Sequence, residues 1–229
     1  MDDKKIIDEY NDLFNELIQT ENTIIQENEL EELIPFETLT LKIDHSGDFK
    51  KDHLKILSRH YFIDKFGIFG IPSIESLEGI VGFAKQFNLK SIIDVGAGLG
   101  YLSYGLDKVI KQQNESISVT AIDDFSFWKN KNFKQWFPIQ NVDTYEYLKD
   151  INNSLIILCW PNYQSDFALG VANIVLKNNN KLIYIGEPSN GCTANDDFFS
   201  NYNIKPLQIP WTSWMTIHDD IYEVGENEN

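Results

Sequence analysis

Residues 91–101 read SIIDVGAGLGY: a short β-branched apolar run, an aspartate, and glycines at 96, 98 and 100. The apolar run has the composition of a strand buried on both faces of a parallel sheet. Three glycines in five residues permit positive φ and leave no Cβ between the main chain and a bound molecule. The following YLSYGLDKVIKQQ has helical periodicity, so the unit is strand, tight turn, helix. Such a turn sets backbone N–H groups and a helix N-terminus at the carboxyl edge of a sheet, where ligands bind in open α/β folds.

Outward from this turn, strand and helix patterns alternate. ISVTAID reads as a strand, FKQWFPIQNVD contains a short one, DTYEYLKDI is a short helix, SLIILCW a strand and SDFALGVANIVLKNN a helix. KLIYIGE, ANDDFFSNY, IKPLQIP and DIYEVGE then read as strand, helix and two closing strands. Alternation of this kind requires crossover connections and a parallel sheet covered on both faces, and the last two strands, joined without a helix, must be antiparallel. Residues 1–70 read as a helical cap: an amphipathic helix over 3–19, a short helix ending near Pro35, and a third over 49–66. Residues 71–229 form the second region, opening on a helix that Ser73 can cap, with Glu75 in its first turn.

The ligand can be narrowed by charge. The dinucleotide pattern G-x-G-x-x-G needs glycine at 101, where Tyr101 stands, and no G-K-[ST] exists for a P-loop. Asp94 precedes the glycines by two residues, and a carboxylate there favours the cationic end of a ligand and repels a pyrophosphate. Asp123 ends the next strand, where a carboxylate accepts both hydroxyls of a ribose. Asp143 follows the third strand and can accept from an adenine amino group. An adenosine carrying ammonium and sulfonium groups satisfies all three acids.

On these residues the chain resembles the class I, seven-strand, Rossmann-like methyltransferases that use S-adenosylmethionine. DVGAGLG resembles their motif I, AIDD their second motif, and the closing strand pair their antiparallel seventh strand, over roughly residues 70–226. WPNY, IGEPSNGCT and WMTIHD resemble an uncharacterised methyltransferase-like family. The resemblance implies a three-layer α/β fold with a mostly parallel seven-stranded sheet and an antiparallel last strand. It implies S-adenosylmethionine as cofactor, held by Asp94, Gly96, Ala97, Gly98, Gly100, Asp123 and Asp143, with Ser73 as a further candidate because the segment before the first strand often folds over the cofactor. A helix start explains Ser73 and Glu75 equally well.

Chemistry is sought at the strand tips. Trp160 and Tyr163, after the fourth strand, can form an aromatic wall for a flat or cationic substrate, or Trp160 can simply roof the cofactor. Amino-group methyltransferases often have a polar residue where Trp160 stands and proline where Asn162 stands, which argues against adenine or cytosine as acceptor. Glu187 ends the fifth strand and can orient a nucleophile or take its proton, or cap the nearby helix. His218 and Asp219 fall between the last two strands, and a histidine with a pKa of ~6.5 suits deprotonation of an incoming group. Trp214 lies on the same long loop, which can close over substrate or pack as core.

Composition sets the outer limits. The net charge of −16 disfavours nucleic acid, which requires clustered Lys and Arg. Arg59 is the only arginine, so bidentate clamps are nearly unavailable. Cys159 and Cys192 match no metal or disulfide spacing, and with no apolar run long enough for a bilayer the chain reads as an acidic cytoplasmic protein. The expected activity is methyl transfer to a small molecule or protein side chain. The alternative is a non-catalytic binding or assembly subunit whose acidic N-terminal helix contacts a protein partner.

Overall fold

The computed structural model describes residues 25, 27–44, 46–126 and 134–227; the expected helix over 3–19 lies outside them. The first described helices are α1 (Glu27–Glu32), α2 (Phe36–Ile43) and α3 (Phe49–Phe66). Then come α4 (Ile74–Gln86), β1 (Ser91–Val95), α5 (Tyr101–Gln112), β2 (Ser118–Asp123), β3 (Ile139–Asn141) and α6 (Thr144–Leu148). The chain closes with β4 (Leu155–Cys159), α7 (Phe167–Val175), β5 (Lys181–Gly186), α8 (Asp196–Asn201), β6 (Tyr202–Pro206) and β7 (Asp220–Glu226).

The strands form one seven-stranded sheet in the order β3-β2-β1-β4-β5-β7-β6. All pairs from β3 to β5 are parallel, and β7 runs antiparallel between β5 and β6. This is the three-layer, Rossmann-like arrangement expected from the sequence. Chain order reverses direction across the sheet between β1 and β4, and the crevice outside those carboxyl ends is where such sheets bind ligands.

The pleat divides the core. Ile92, Leu155, Ile157, Ile183 and Ile185 face α4 and α5, whereas Ile93, Ile156, Leu158, Leu182 and Tyr184 face α7 and α8. Full burial of each aliphatic side chain contributes about 1.5–3 kcal/mol relative to exposure. A one-residue slip of any central strand would exchange the two faces, which fixes the register that aligns Asp94 with Ala121 and Ile157.

A third cluster joins the N-terminal helices to the edge of the sheet. Leu30, Leu39, Ile43, Phe62 and Phe66 pack with Leu99, Tyr101, Trp136 and Trp214. Tyr101 occupies the place of the missing glycine and has a packing role: its hydroxyl donates to the Leu30 carbonyl (3.3 Å), and its ring meets Trp136 edge-on at 5.1 Å. The Ile74 N–H donates to the Ile34 carbonyl (3.0 Å) and the Phe36 N–H to Glu75 Oε2 (2.7 Å), so α4 is tied to the chain before α2. These contacts hold α3 over the carboxyl edge of the sheet.

Candidate functional site

Between the N-terminal helices and the tips of β1, β2 and β4 lies a cleft of about 670 Å³. Its floor is the turn after β1. Gly96, Gly98 and Gly100 have φ of +66°, +60° and +79°, which ordinary side chains rarely tolerate. At Gly100 a Cβ would also lie 2.9 Å from Phe137 Cβ, so glycine there serves both conformation and packing. The N–H groups of Gly96 and Ala97 donate to the Ile122 carbonyl (3.0 and 3.1 Å), locking the turn to β2.

Asp94 and Asp123 both line the cleft. Asp94 is 1% exposed and accepts a 2.7 Å hydrogen bond from Ser103 Oγ on α5. Burial raises its pKa to about 6; Ser103 opposes the rise, and repulsion by Asp123 adds to it. Asp123 accepts from the Gly98 N–H (2.8 Å) and the Phe125 N–H (2.6 Å), one on each oxygen. Burial raises Asp123 as well, against those two donors. The cleft therefore concentrates negative charge that the protein only partly neutralises, and a cation entering it lowers the cost of both carboxylates.

At the β3 end Asp143 also lines the cleft, although its Oδ1 is engaged as the N-cap of α6, accepting from the Glu146 N–H at 2.8 Å. Tyr145 and Phe167, 6.1 Å apart, form the adjoining apolar wall. At the β4 end stands Trp160, held in a left-handed backbone conformation (φ +53°) that a bulky residue adopts only under constraint. The constraints are visible. Its N–H donates to the Ile185 carbonyl (2.8 Å), its Nε1–H donates to Asp219 Oδ2 (3.0 Å), and its ring stacks near Phe69 at 6.2 Å. Tyr163 lies at the rim, 58% exposed.

Several expected site residues are placed elsewhere. Ser73 is fully buried and completes a capping box with Ser76 at the start of α4, so its hydroxyl is used locally. Trp214 is 2% exposed and packs against Phe62 in the helical cluster, which makes it core. Glu187 does not line the cleft. Its Oε2 accepts from the Cys192 N–H (2.7 Å) and its Oε1 from the His218 N–H (3.0 Å), which ties the loop after β5 to the turn before β7. Burial pushes Glu187 up, but these hydrogen bonds outweigh it and hold the carboxyl below its ordinary range.

The imidazole of His218 is exposed and borders a second cavity of about 380 Å³. Its neighbour Asp219, 5% exposed, is the buried one of the two and accepts from the Trp160 indole. Asp219 borders that second cavity while holding Trp160, so the Trp160–Asp219 pair forms part of the wall between the two spaces.

Other lining residues carried no signal in the sequence reading. Arg59 and His60 reach the cleft from α3, and Cys192 from the loop after β5. The Arg59 guanidinium carbon sits 4.9 Å from the Trp160 ring centroid. Being the chain's single arginine is the only mark that distinguished it in advance.

No family model matches the chain, and no curated protein matches it. Among solved structures it aligns with the mitomycin 7-O-methyltransferase MmcR at 11% identity and TM-score 0.40, covering 84% of this chain and 61% of that one. It aligns with the Podospora anserina methyltransferase PaMTH1, solved with SAH, at 13% identity and TM-score 0.39, covering 79% and 98%. The methyltransferase domain of bacterial CtHen1-CN aligns at 12% identity and TM-score 0.40, covering 66% and 96%. The chain thus spans less than two thirds of the first of these, and the fold assignment rests on strand order and register.

Proposed function

We propose that the protein is an S-adenosylmethionine-dependent methyltransferase acting on a small molecule or a protein side chain. The observation that carries this reading is the convergence of two buried carboxylates, Asp94 and Asp123, on one glycine-floored cleft at the switch point of the sheet. Among the described residues no Lys lines that cleft, and its one Arg stands over Trp160. Acceptors of this charge suit an adenosyl compound with a cationic amino-acid end and do not suit a pyrophosphate.

In this reading Asp94 receives the ammonium end, Asp123 the ribose hydroxyls and Asp143 the adenine edge, with Tyr145 and Phe167 as walls for the base. Bound there, S-adenosylmethionine supplies a methyl group on a positively charged sulfur that departs as a neutral thioether. The chain's task is then to hold an acceptor in line and keep water out. Positioning of this kind supplies roughly 7–11 kcal/mol. Trp160, fixed by Asp219 and Phe69, offers a rigid aromatic wall at the β4 tip, where π-faces favour positive charge. Glu187 and His218 support that wall's surroundings through the loop contacts they make.

Calorimetry with S-adenosylmethionine, S-adenosylhomocysteine and NAD tests the reading. Binding of both sulfur compounds, lost in Asp94→Asn and Asp123→Asn, is expected. Absence of any response to either sulfur compound refutes it.

A further inference from the structure

Arg59 is the one cationic side chain facing the cleft among the described residues, and it is poorly provided with partners. Its Nε is buried without a hydrogen-bond partner, and no ion pair joins it to another described residue. Burial lowers its pKa from the ordinary value, ahead of the opposing pull of Cys192, Asp219 and Glu187. Glu187 is occupied by the Cys192 and His218 N–H groups; Asp219 accepts from Trp160 through Oδ2, and although its Oδ1 is without a partner, no hydrogen bond or ion pair joins it to Arg59. A guanidinium that leaves water needs hydrogen-bond acceptors, and here it lies over the Trp160 ring with its Nε not supplied with one.

The position indicates which ligand completes it. Asp143, Asp123 and Asp94 follow one another from β3 through β2 to β1, and Trp160 and Cys192 continue the cleft past β4 and β5. Arg59 stands over the ring of Trp160, just past the tip of β4, and Cys192, Asp219 and Glu187, all on the β5–β7 side, act on it electrostatically. Arg59 therefore belongs to the acceptor end. A guanidinium carries paired N–H groups in one plane, the geometry that recognises a carboxylate or phosphate. Asp94, Asp123, Asp124 and Asp143 line the same cleft, and a dianion is repelled by them more strongly than a monoanion.

We propose that Arg59 anchors the methyl acceptor by a carboxylate, so that the substrate class is a carboxylate-bearing molecule. This rests on the methyltransferase reading above. A carboxylate paired with a guanidinium is a weakened nucleophile, so the group serves as an anchor and a different atom accepts the methyl.

The test uses the full chain saturated with S-adenosylhomocysteine and three probes, benzoate, benzamide and phenyl phosphate, with binding followed by ligand-observed NMR. Wild-type protein is expected to bind benzoate roughly ten-fold or more tightly than benzamide, since a hydrogen bond to a charged group is worth that much. Arg59→Gln should abolish the preference and Arg59→Lys should retain part of it, while S-adenosylhomocysteine affinity stays within about two-fold in both variants. The proposal is overturned by equal binding of benzoate and benzamide, by a preference that survives Arg59→Gln, or by tighter binding of phenyl phosphate than benzoate. A roughly ten-fold loss of S-adenosylhomocysteine affinity in Arg59→Gln also overturns it, because the guanidinium would then serve the cofactor. Failure of wild-type protein to bind S-adenosylhomocysteine is seen before any probe is added, and refutes the underlying reading instead.

Discussion

Replacement of Asp94 by asparagine should make the ligand-free protein more stable and the cofactor site defective. The carboxyl is 1% exposed and its pKa stands at about 6 against an ordinary 3.8. Each pH unit of such a difference is worth about 1.4 kcal/mol, so ionising Asp94 in the folded protein costs about 3 kcal/mol. The sign follows from the direction. The unfolded chain gives up this proton near 3.8 and the folded one near 6, so the native state loses stability as pH rises between those values and stays penalised above them. Asparagine carries no charge, keeps an oxygen for Ser103 Oγ–H, and removes the penalty.

At pH 7.5 the Asp94→Asn protein should therefore melt higher by up to about 6–12 °C, taking 2–4 °C per kcal/mol for a chain of this size. At pH 4 the two proteins should melt together. In the proposed binding mode the same substitution removes the partner of a buried ammonium, a loss of about 3–5 kcal/mol, or roughly two to four orders of magnitude in the affinity for S-adenosylhomocysteine. In the wild type that affinity should fall about ten-fold for each pH unit below about 6. Thermal melts at the two pH values and a calorimetric titration decide the matter. A variant that melts no higher at pH 7.5, or that binds S-adenosylhomocysteine normally, refutes the electrostatic account of the cleft.

Gly100→Ala should lower the melting temperature by about 4 °C or more, since a left-handed alanine costs about 1–2 kcal/mol and the new Cβ would press on Phe137 at 2.9 Å. Gly47→Ala, at φ +75° with open space around it, should show the conformational cost alone, and equal losses in the two melts would dismiss the Phe137 contact. Trp160→Phe removes the Nε1–H from Asp219, whose other oxygen is already without a partner. Chemical denaturation should show a loss of about 1–3 kcal/mol, larger at neutral pH than in acid because protonation relieves the stranded carboxylate; a pH-independent loss would point to packing instead. Glu187→Gln keeps one acceptor of the two, so about 1–3 kcal/mol should again be lost. The lowered pKa of Glu187 confers stability present above its ordinary 4.5 and lost as pH falls through its folded value, so the gap in stability between the wild type and this variant should narrow as the pH is lowered below the ordinary value.

The strands and the glycine turn were legible because what defines them lies close together in the chain. Asp94, the three glycines and Ser103 span ten positions, and the contact between Ser103 Oγ and Asp94 Oδ2 is set by one turn and the start of one helix. Ser73 had an equally local signature, and the local explanation prevailed: a serine followed three residues later by another hydroxyl closes on itself as a cap and has no donor left for a ligand. His218 failed for a different reason. Which of two adjacent polar residues turns inward is not marked in the sequence, and the buried Asp219 takes the inner place, where it has the Trp160 indole to accept from. Arg59 was out of reach altogether. It stands 35 positions before Asp94 on a helix whose placement depends on Leu30, Phe62, Tyr101 and Trp214 packing together, and no window of sequence contains that cluster. The two ends of the cleft therefore differ in kind: local chemistry shapes the tips of β1 and β2, and long-range packing of the helical cap assembles the end at Arg59 and Trp160. Variants in the cap core such as Phe62→Ala should accordingly impair recognition of the acceptor before that of S-adenosylhomocysteine, since they move Arg59 and leave Asp94 and Asp123 on the sheet.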